Sequence, residues 1–227
     1  MNHVLPAVVI PAYNAATTLA ATIAQLQPLV SIIFVVDDGS SDTTAEVAKG
    51  LPGVVLLRQS RQGPGAAVFT GLRAAAEQGH EFAVIVDADG QMDASYIPAL
   101  CQPLIDDRYD FMRGSRLQKS SGGDAMPPVR HLAARLLTPL VGLSAKQAIS
   151  DPLSGFVALR LSFLPPRLWT GFGYPMHFVA ALARGGARIG HLAVPARYPK
   201  GGQSHHGLHR LPSVAGAFVS AMFERLR

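Results

Sequence analysis

Apolar and polar positions alternate along the first half of the chain in blocks rather than singly. Val4 to Ile10 is a β-branched run that stops at Pro11. A helical spacing follows, with Thr17 or Thr18 able to cap it and Leu19, Ile23 and Leu26 on one face until Pro28. Ser31 to Val36 reads as a second strand, Thr44 to Lys49 as a helix, and Val54 to Leu57 as a third strand. The loop Arg58 to Gly65 leads into a helix over Ala66 to Gln78, and Phe82 to Val86 is a fourth strand, apolar throughout. Four strands alternating with three helices predict a parallel sheet wound by right-handed crossovers, an α/β fold.

In such sheets ligands bind beyond the carboxyl ends of the strands. That rule gathers Tyr13, Asp38, Gly63, Gly65, Asp87 and Asp89 along one edge, although they are far apart in sequence. The fourth strand runs directly into Asp87-Ala88-Asp89-Gly90-Gln91. Side chains two apart on an extended segment point the same way, so the two carboxylates would share one spot and repel unless a cation lies between them. Oxygen ligands of this kind suit Mg²⁺ or Mn²⁺, with the Gln91 amide as a third donor. An exposed turn that caps the next helix is the alternative. Gln62-Gly63-Pro64-Gly65 has neither the Gly-Lys-Ser/Thr ending of a P-loop nor a dinucleotide fingerprint, which leaves phosphate contact or a tight helix-starting turn.

Composition narrows the class. With 48% hydrophobic and 15% charged residues among 227, the chain is globular and long enough to bury a sizeable core. A single cysteine, Cys101, excludes an internal disulfide and fits a reducing compartment. No cleavable leader or run of about 18 apolar residues is present, so a cytoplasmic location is expected. The net charge of +5 points to an anionic partner, and no nucleic-acid motif or aromatic platform accompanies it.

Six short motifs occur in a fixed order: Pro11-Ala12-Tyr13-Asn14 after a strand, Val35-Val36-Asp37-Asp38-Gly39-Ser40-Ser41-Asp42, Gly63-Pro64-Gly65-Ala66-Ala67, Asp87-Ala88-Asp89-Gly90-Gln91, Gly114-Ser115-Arg116, and Asp151-Pro152-Leu153-Ser154-Gly155-Phe156. Together they resemble family 2 glycosyltransferases of the GT-A fold, most of all the branch of dolichyl-phosphate mannosyltransferases and related polyprenyl-phosphate glycosyltransferases. The likeness spans about residues 4 to 204. It implies a GT-A domain over 1–210, with a nucleotide-binding half to about 115 and an acceptor half from 116, followed by an amphipathic helix over 211–227.

By that resemblance Pro11, Ala12, Tyr13 and Asp38 would hold the base and ribose of a UDP- or GDP-linked sugar, with Gly65 beside them. Asp87, Asp89 and Gln91 would hold Mg²⁺ or Mn²⁺ on the donor diphosphate. Arg116 and Arg130 match the arginines that clamp an acceptor phosphate, and Arg197 and Ser204 lie in the basic loop that closes over the diphosphate. Asp151 would be the base if the acceptor were a hydroxyl on a glycan or small molecule. A nucleotide-sugar-binding protein without turnover is the remaining alternative. Two departures stand out: Ala15 where the family commonly has glutamate, and Met92 where the lipid-phosphate branch usually has histidine. Leu132, Leu136, Leu137 and Leu140 beside Arg130, His131 and Arg135 could meet the inner face of a membrane. The helix over 211–227 is expected rather to pack on the core or on a second subunit, as in a homodimer.

Overall fold

Among the described residues, seven strands form one sheet in the order β3-β2-β1-β4-β6-β5-β7. The computed structural model describes residues 5–117, 128–195 and 211–223. The strands are β1 (Ala7–Ala12), β2 (Ile32–Asp38), β3 (Val54–Gln59), β4 (Phe82–Ile85), β5 (Phe111–Ser115), β6 (Val157–Arg160) and β7 (Ile189–Ala193). The helices are α1 (Ala16–Leu26), α2 (Thr44–Lys49), α3 (Pro64–Glu77), α4 (Ile97–Ile105), α5 (Pro128–Ala145), α6 (Tyr174–Arg184) and α7 (Leu211–Phe223). All pairings are parallel except those of β6, which runs antiparallel between β4 and β5. This is the mostly parallel, helix-flanked sheet expected from the block pattern.

Both faces of the sheet are covered, which is why its strands read as continuous apolar runs. On one face Val9, Phe34, Val36, Ile85 and Phe111 pack with residues of α3, α5 and α6. On the other, Val8, Ile10, Val35, Val84 and Met112 pack with α1 and α4, including the buried Cys101.

Strand β1 continues through Pro11 and Ala12, past the proline at which the sequence reading ended it. Pairing with β4 stops at Val9, whose main chain faces that neighbour, and Pro11 faces the same side two residues on. Its missing N–H therefore breaks no rung of the ladder. Helix α1 is not capped by Thr17 or Thr18. Its N-terminal donors are satisfied from the β2–α2 loop and the start of α2, Ala16 N–H by Asp42 Oδ2 at 3.2 Å and Ala15 N–H by Thr44 Oγ1 at 2.8 Å.

Candidate active site

The exits of β1 and β2 are tied to one another. Asn14, at φ 51°, accepts through Oδ1 from the Ser41 N–H at 2.9 Å, and its own N–H donates to Ser40 Oγ at 3.0 Å. Tyr13 lies exposed at the end of β1, with the Arg61 guanidinium stacked 3.5 Å from its ring centre. Asp38 is nearly buried and accepts three hydrogen bonds at 2.8 Å, from Gln59 Nε2 and from the main-chain N–H groups of Gln62 and Gly63. It thereby fixes the approach to the glycine turn.

That turn is a packing device. The N–H groups of Gly65 and Ala66 donate to the Thr170 carbonyl, at 2.8 and 3.2 Å. A side chain at Gly65 would meet the Trp169 carbonyl at 1.9 Å. Trp169 in turn lies against Gly216 of α7, whose Ser213 accepts from the Phe172 N–H at 3.1 Å. These glycines form a tight turn that starts α3, and the Gly65 N–H is already engaged.

Strand β4 ends at Ile85, so Asp87 and Asp89 are joined by a turn, with Gly90 at φ 70°, and not by continued pleating. The turn still brings the carboxylates within electrostatic reach. Burial and the charge of Asp89 push the Asp87 carboxyl up to about 7, against the opposing pull of Arg116. Thr22 of α1 braces the turn through a hydrogen bond to the Ala88 carbonyl at 3.3 Å. Gln91 donates its N–H to Asp89 Oδ1 at 3.0 Å, and Met92 places its sulfur 3.4 Å from the Asp87 N–H.

On the far side of the pair, Arg116 follows β5 directly and grips Asp151 with both arms. Nε to Oδ2 is 2.7 Å, Nη2 to Oδ1 is 2.9 Å, and the Arg116 N–H adds a third bond at 3.0 Å. Asp151 is fully buried at φ 49°. Burial alone would raise its carboxyl; the Arg116 bonds and charge, with Arg113 behind, hold it below the usual carboxylate range. Gly155 separates this pair from the first: a Cβ there would stand 3.1 Å from the Tyr174 hydroxyl and 3.5 Å from both Asp87 oxygens. Burial and the nearby Asp87 charge raise the Tyr174 phenol well above its ordinary value.

The structure thus brings Tyr13, Asp38, Gly63, Gly65, Asp87 and Asp89 to the sheet edge named for them, and Gln91, Arg116 and Asp151 stand at the same edge. Arg130 falls in the first turn of α5, and its side chain lies outside the described residues, as do Arg197 and Ser204. Sequence reasoning missed Tyr174, Gly155 as a spacer, and Arg113, a fully buried guanidinium inside β5. The last carried a signal: a charged residue following Phe111 and Met112 in a short run that is buried throughout.

A hard divalent cation fits Asp87 and Asp89. A carboxyl raised to about 7 by burial and by the charge of Asp89 is one whose ionised form such a cation would stabilise, and all donors are oxygens. Among the described residues no group of three or more acidic, histidine or cysteine side chains assembles, so water, Gln91 or a bound phosphate would have to complete the shell.

The profile of "Glycosyl transferase family 2" matches residues 7–165. Among curated proteins, the chain is 29% identical over 174 residues to the UDP-N-acetylglucosamine–dolichyl-phosphate N-acetylglucosaminyltransferase of Methanococcus voltae, covering 69% of each chain. It is 31% identical over 197 residues to the undecaprenyl-phosphate mannosyltransferase of Micrococcus luteus, covering 80% of this chain and 79% of that one. Among solved structures, glucosyl-3-phosphoglycerate synthase from Mycobacterium tuberculosis, in complex with Mn²⁺, UDP and glucosyl-3-phosphoglycerate, superimposes with a TM-score of 0.67 at 22% identity. That match covers 97% of this chain and 80% of the other. With the acidic turn, the glycine turn and the Asp151 segment all placed around one sheet edge, the chain belongs to glycosyl transferase family 2.

Proposed function

We propose that this glycosyltransferase moves a sugar, with inversion, from a UDP- or GDP-linked donor to a polyprenyl phosphate at a membrane surface. The observation that carries the reading is the Arg116–Asp151 pair. A hydroxyl acceptor needs a general base. Asp151 suits that role poorly, because it is fully buried, both its oxygens are engaged, and its carboxyl is held low. A phosphate acceptor is already anionic and needs only a fixed cation to hold it, which the Arg116 guanidinium supplies.

On the donor side, Pro11 to Tyr13 and Asp38 receive the nucleoside; Asp38 uses three of a carboxylate's roughly four acceptor positions and keeps one for a ring N–H. Asp87, Asp89 and Gln91 hold Mg²⁺ or Mn²⁺, which neutralises charge developing on the departing diphosphate. Gly155 keeps the space between Asp87 and Tyr174 open for that group. Arg130 joins Arg116 on the acceptor, and Arg197 and Ser204 close over the diphosphate.

A membrane-associated acceptor also accounts for α5. Leu132, Leu136, Leu140 and Leu143 are 59%, 62%, 44% and 73% exposed along one stripe, opposite the buried Ala134, Val141 and Ala145. From Pro128 to Ser150 the chain carries Arg130, His131, Arg135 and Lys146 and no acidic residue. No helix of the described residues is long and apolar enough to cross a bilayer.

Thermal unfolding with UDP- and GDP-linked sugars, each with and without Mn²⁺ or Mg²⁺, tests the donor half. A ligand at a hundred times its dissociation constant adds about 2.7 kcal/mol. A metal-dependent rise with one nucleotide, followed by sugar transfer to undecaprenyl or dolichyl phosphate that Arg116→Ala lowers at least tenfold, is the expected result. Transfer to a glycan hydroxyl with the lipid phosphate inert would overturn the acceptor.

A further inference from the structure

Strand β5 turns Phe111, Arg113 and Ser115 toward the α5 and α6 layer, where Phe111 meets Phe178 edge to face at 5.8 Å. Arg113 is 0% exposed. Its Nη1 donates to the Asp151 carbonyl at 3.1 Å and its Nη2 to the Pro175 carbonyl at 2.8 Å, and its Nε finds no acceptor among the described residues.

The two carbonyls belong to two different segments of the site. One is the main chain of Asp151, whose carboxylate holds Arg116. The other lies in the first turn of α6, one residue beyond Tyr174, whose hydroxyl sits with Asp87 against Gly155. A buried guanidinium with an unpaired N–H is a poor choice for stability, since a hydrocarbon side chain of like volume carries no desolvation cost. What the position uses is the planar fork, which holds two acceptors in a fixed relation as a lysine cannot.

We propose that Arg113 is a positioning residue: by bridging the Asp151 and Pro175 carbonyls it fixes the direction of the Arg116 guanidinium relative to Asp87. The consequence for turnover rests on the acceptor-holding role proposed for Arg116; the positioning itself does not.

Arg113→Lys and Arg113→Met in the full chain test it, read first by the arginine Nε–H resonances. The Arg116 signal is identified by its loss in Arg116→Lys. Its exchange with water should quicken at least tenfold in both Arg113 variants, while the Arg188 Nε–H, bonded to Asp110 at 2.8 Å, stays unchanged. With the nucleotide-sugar found active above, kcat should fall at least tenfold in Arg113→Lys and the donor KM should stay within threefold. An unchanged Arg116 signal in a folded variant overturns the proposal, as does failure of both variants to fold, which would make Arg113 a residue of the core only. Released Arg116 exchange together with full activity of Arg116→Ala would uphold the positioning and remove the acceptor clamp, so the two readings fail separately.

Discussion

Gly65 lies so close to Trp169 that a Cβ on the first would stand 1.9 Å from the carbonyl oxygen of the second and 2.8 Å from the Tyr174 side chain. Neither obstacle is the far end of a flexible group, so Gly65→Ala must push the 169–174 segment away from α3. The expected loss is about 3 kcal/mol or more, read as a lowered urea midpoint. Gly53 is the control: at φ 69° with nothing within 4 Å, Gly53→Ala should lose only about 1 kcal/mol from backbone strain.

The raised Asp87 carboxyl makes a pH prediction with a definite sign. In chelator the folded protein keeps a proton on Asp87 up to about pH 7, while the unfolded chain releases it near the ordinary carboxylate value of about 3.9. The folded state binds more protons, so this group's contribution favours folding at low pH and declines between about 4 and 7, by at most about 1.4 kcal/mol per unit. Mn²⁺ should cancel the decline by taking the proton's place. Asp87→Asn should remove it without metal, and should abolish sugar transfer. Melting curves across pH with and without Mn²⁺ read both effects; identical pH slopes in the two conditions would sink the metal assignment.

Asp110 behaves oppositely. Its carboxylate accepts from the Arg188 Nε, Nη2 and main-chain N–H within 2.8 to 2.9 Å, and those bonds hold its carboxyl below the usual range. Its contribution is complete above the unfolded value and is lost as pH falls through the lower folded one. Asp110→Asn should cost about 2 kcal/mol at neutral pH, less than a fully buried pair because Arg188 is half-exposed. Its deficit should shrink in acid, which denaturant titrations at pH 7 and pH 3 would show.

The leucine stripe of α5 gives a prediction about surfaces. Vesicles rich in anionic phospholipid should sediment the protein, and Leu136→Ser with Leu143→Ser should abolish that while moving stability by no more than about 0.5 kcal/mol. Retained vesicle binding by the double variant would deny the stripe its role. A concentration-dependent dimer that the same changes dissolve would assign it to a second copy instead.

Much of this site is legible in the sequence because most of its parts follow a strand and carry a chemical oddity; the Asp151 segment, which leads into β6, is the exception. Asp87 and Asp89 end an apolar run, and Asp38 ends another. The hydrogen bonding that decides how each side chain is used does not show. Nothing local says that Asp42 and Thr44 will cap α1, or that Thr170, more than a hundred residues away, will take up the Gly65 N–H. The second half of the sheet is harder to read for the same reason. Strand β6 is four residues long, and its place depends on partners at 82–85 and 111–113 that no local pattern specifies.

The reversal of β6 has a consequence for how the active centre comes into being. A wholly parallel sheet offers its ligand only the loops leaving its strands, whereas one inverted strand presents the segment that leads into it, here the stretch from Asp151 to Gly155. Because β6 threads between two strands that precede it in the chain, its insertion closes the sheet across long sequence separations, a slow kind of step. The strand that joins the two halves of the sheet also delivers Asp151 to Arg116 and Gly155 to Asp87, so the joining of the sheet and the meeting of those residues depend on one another.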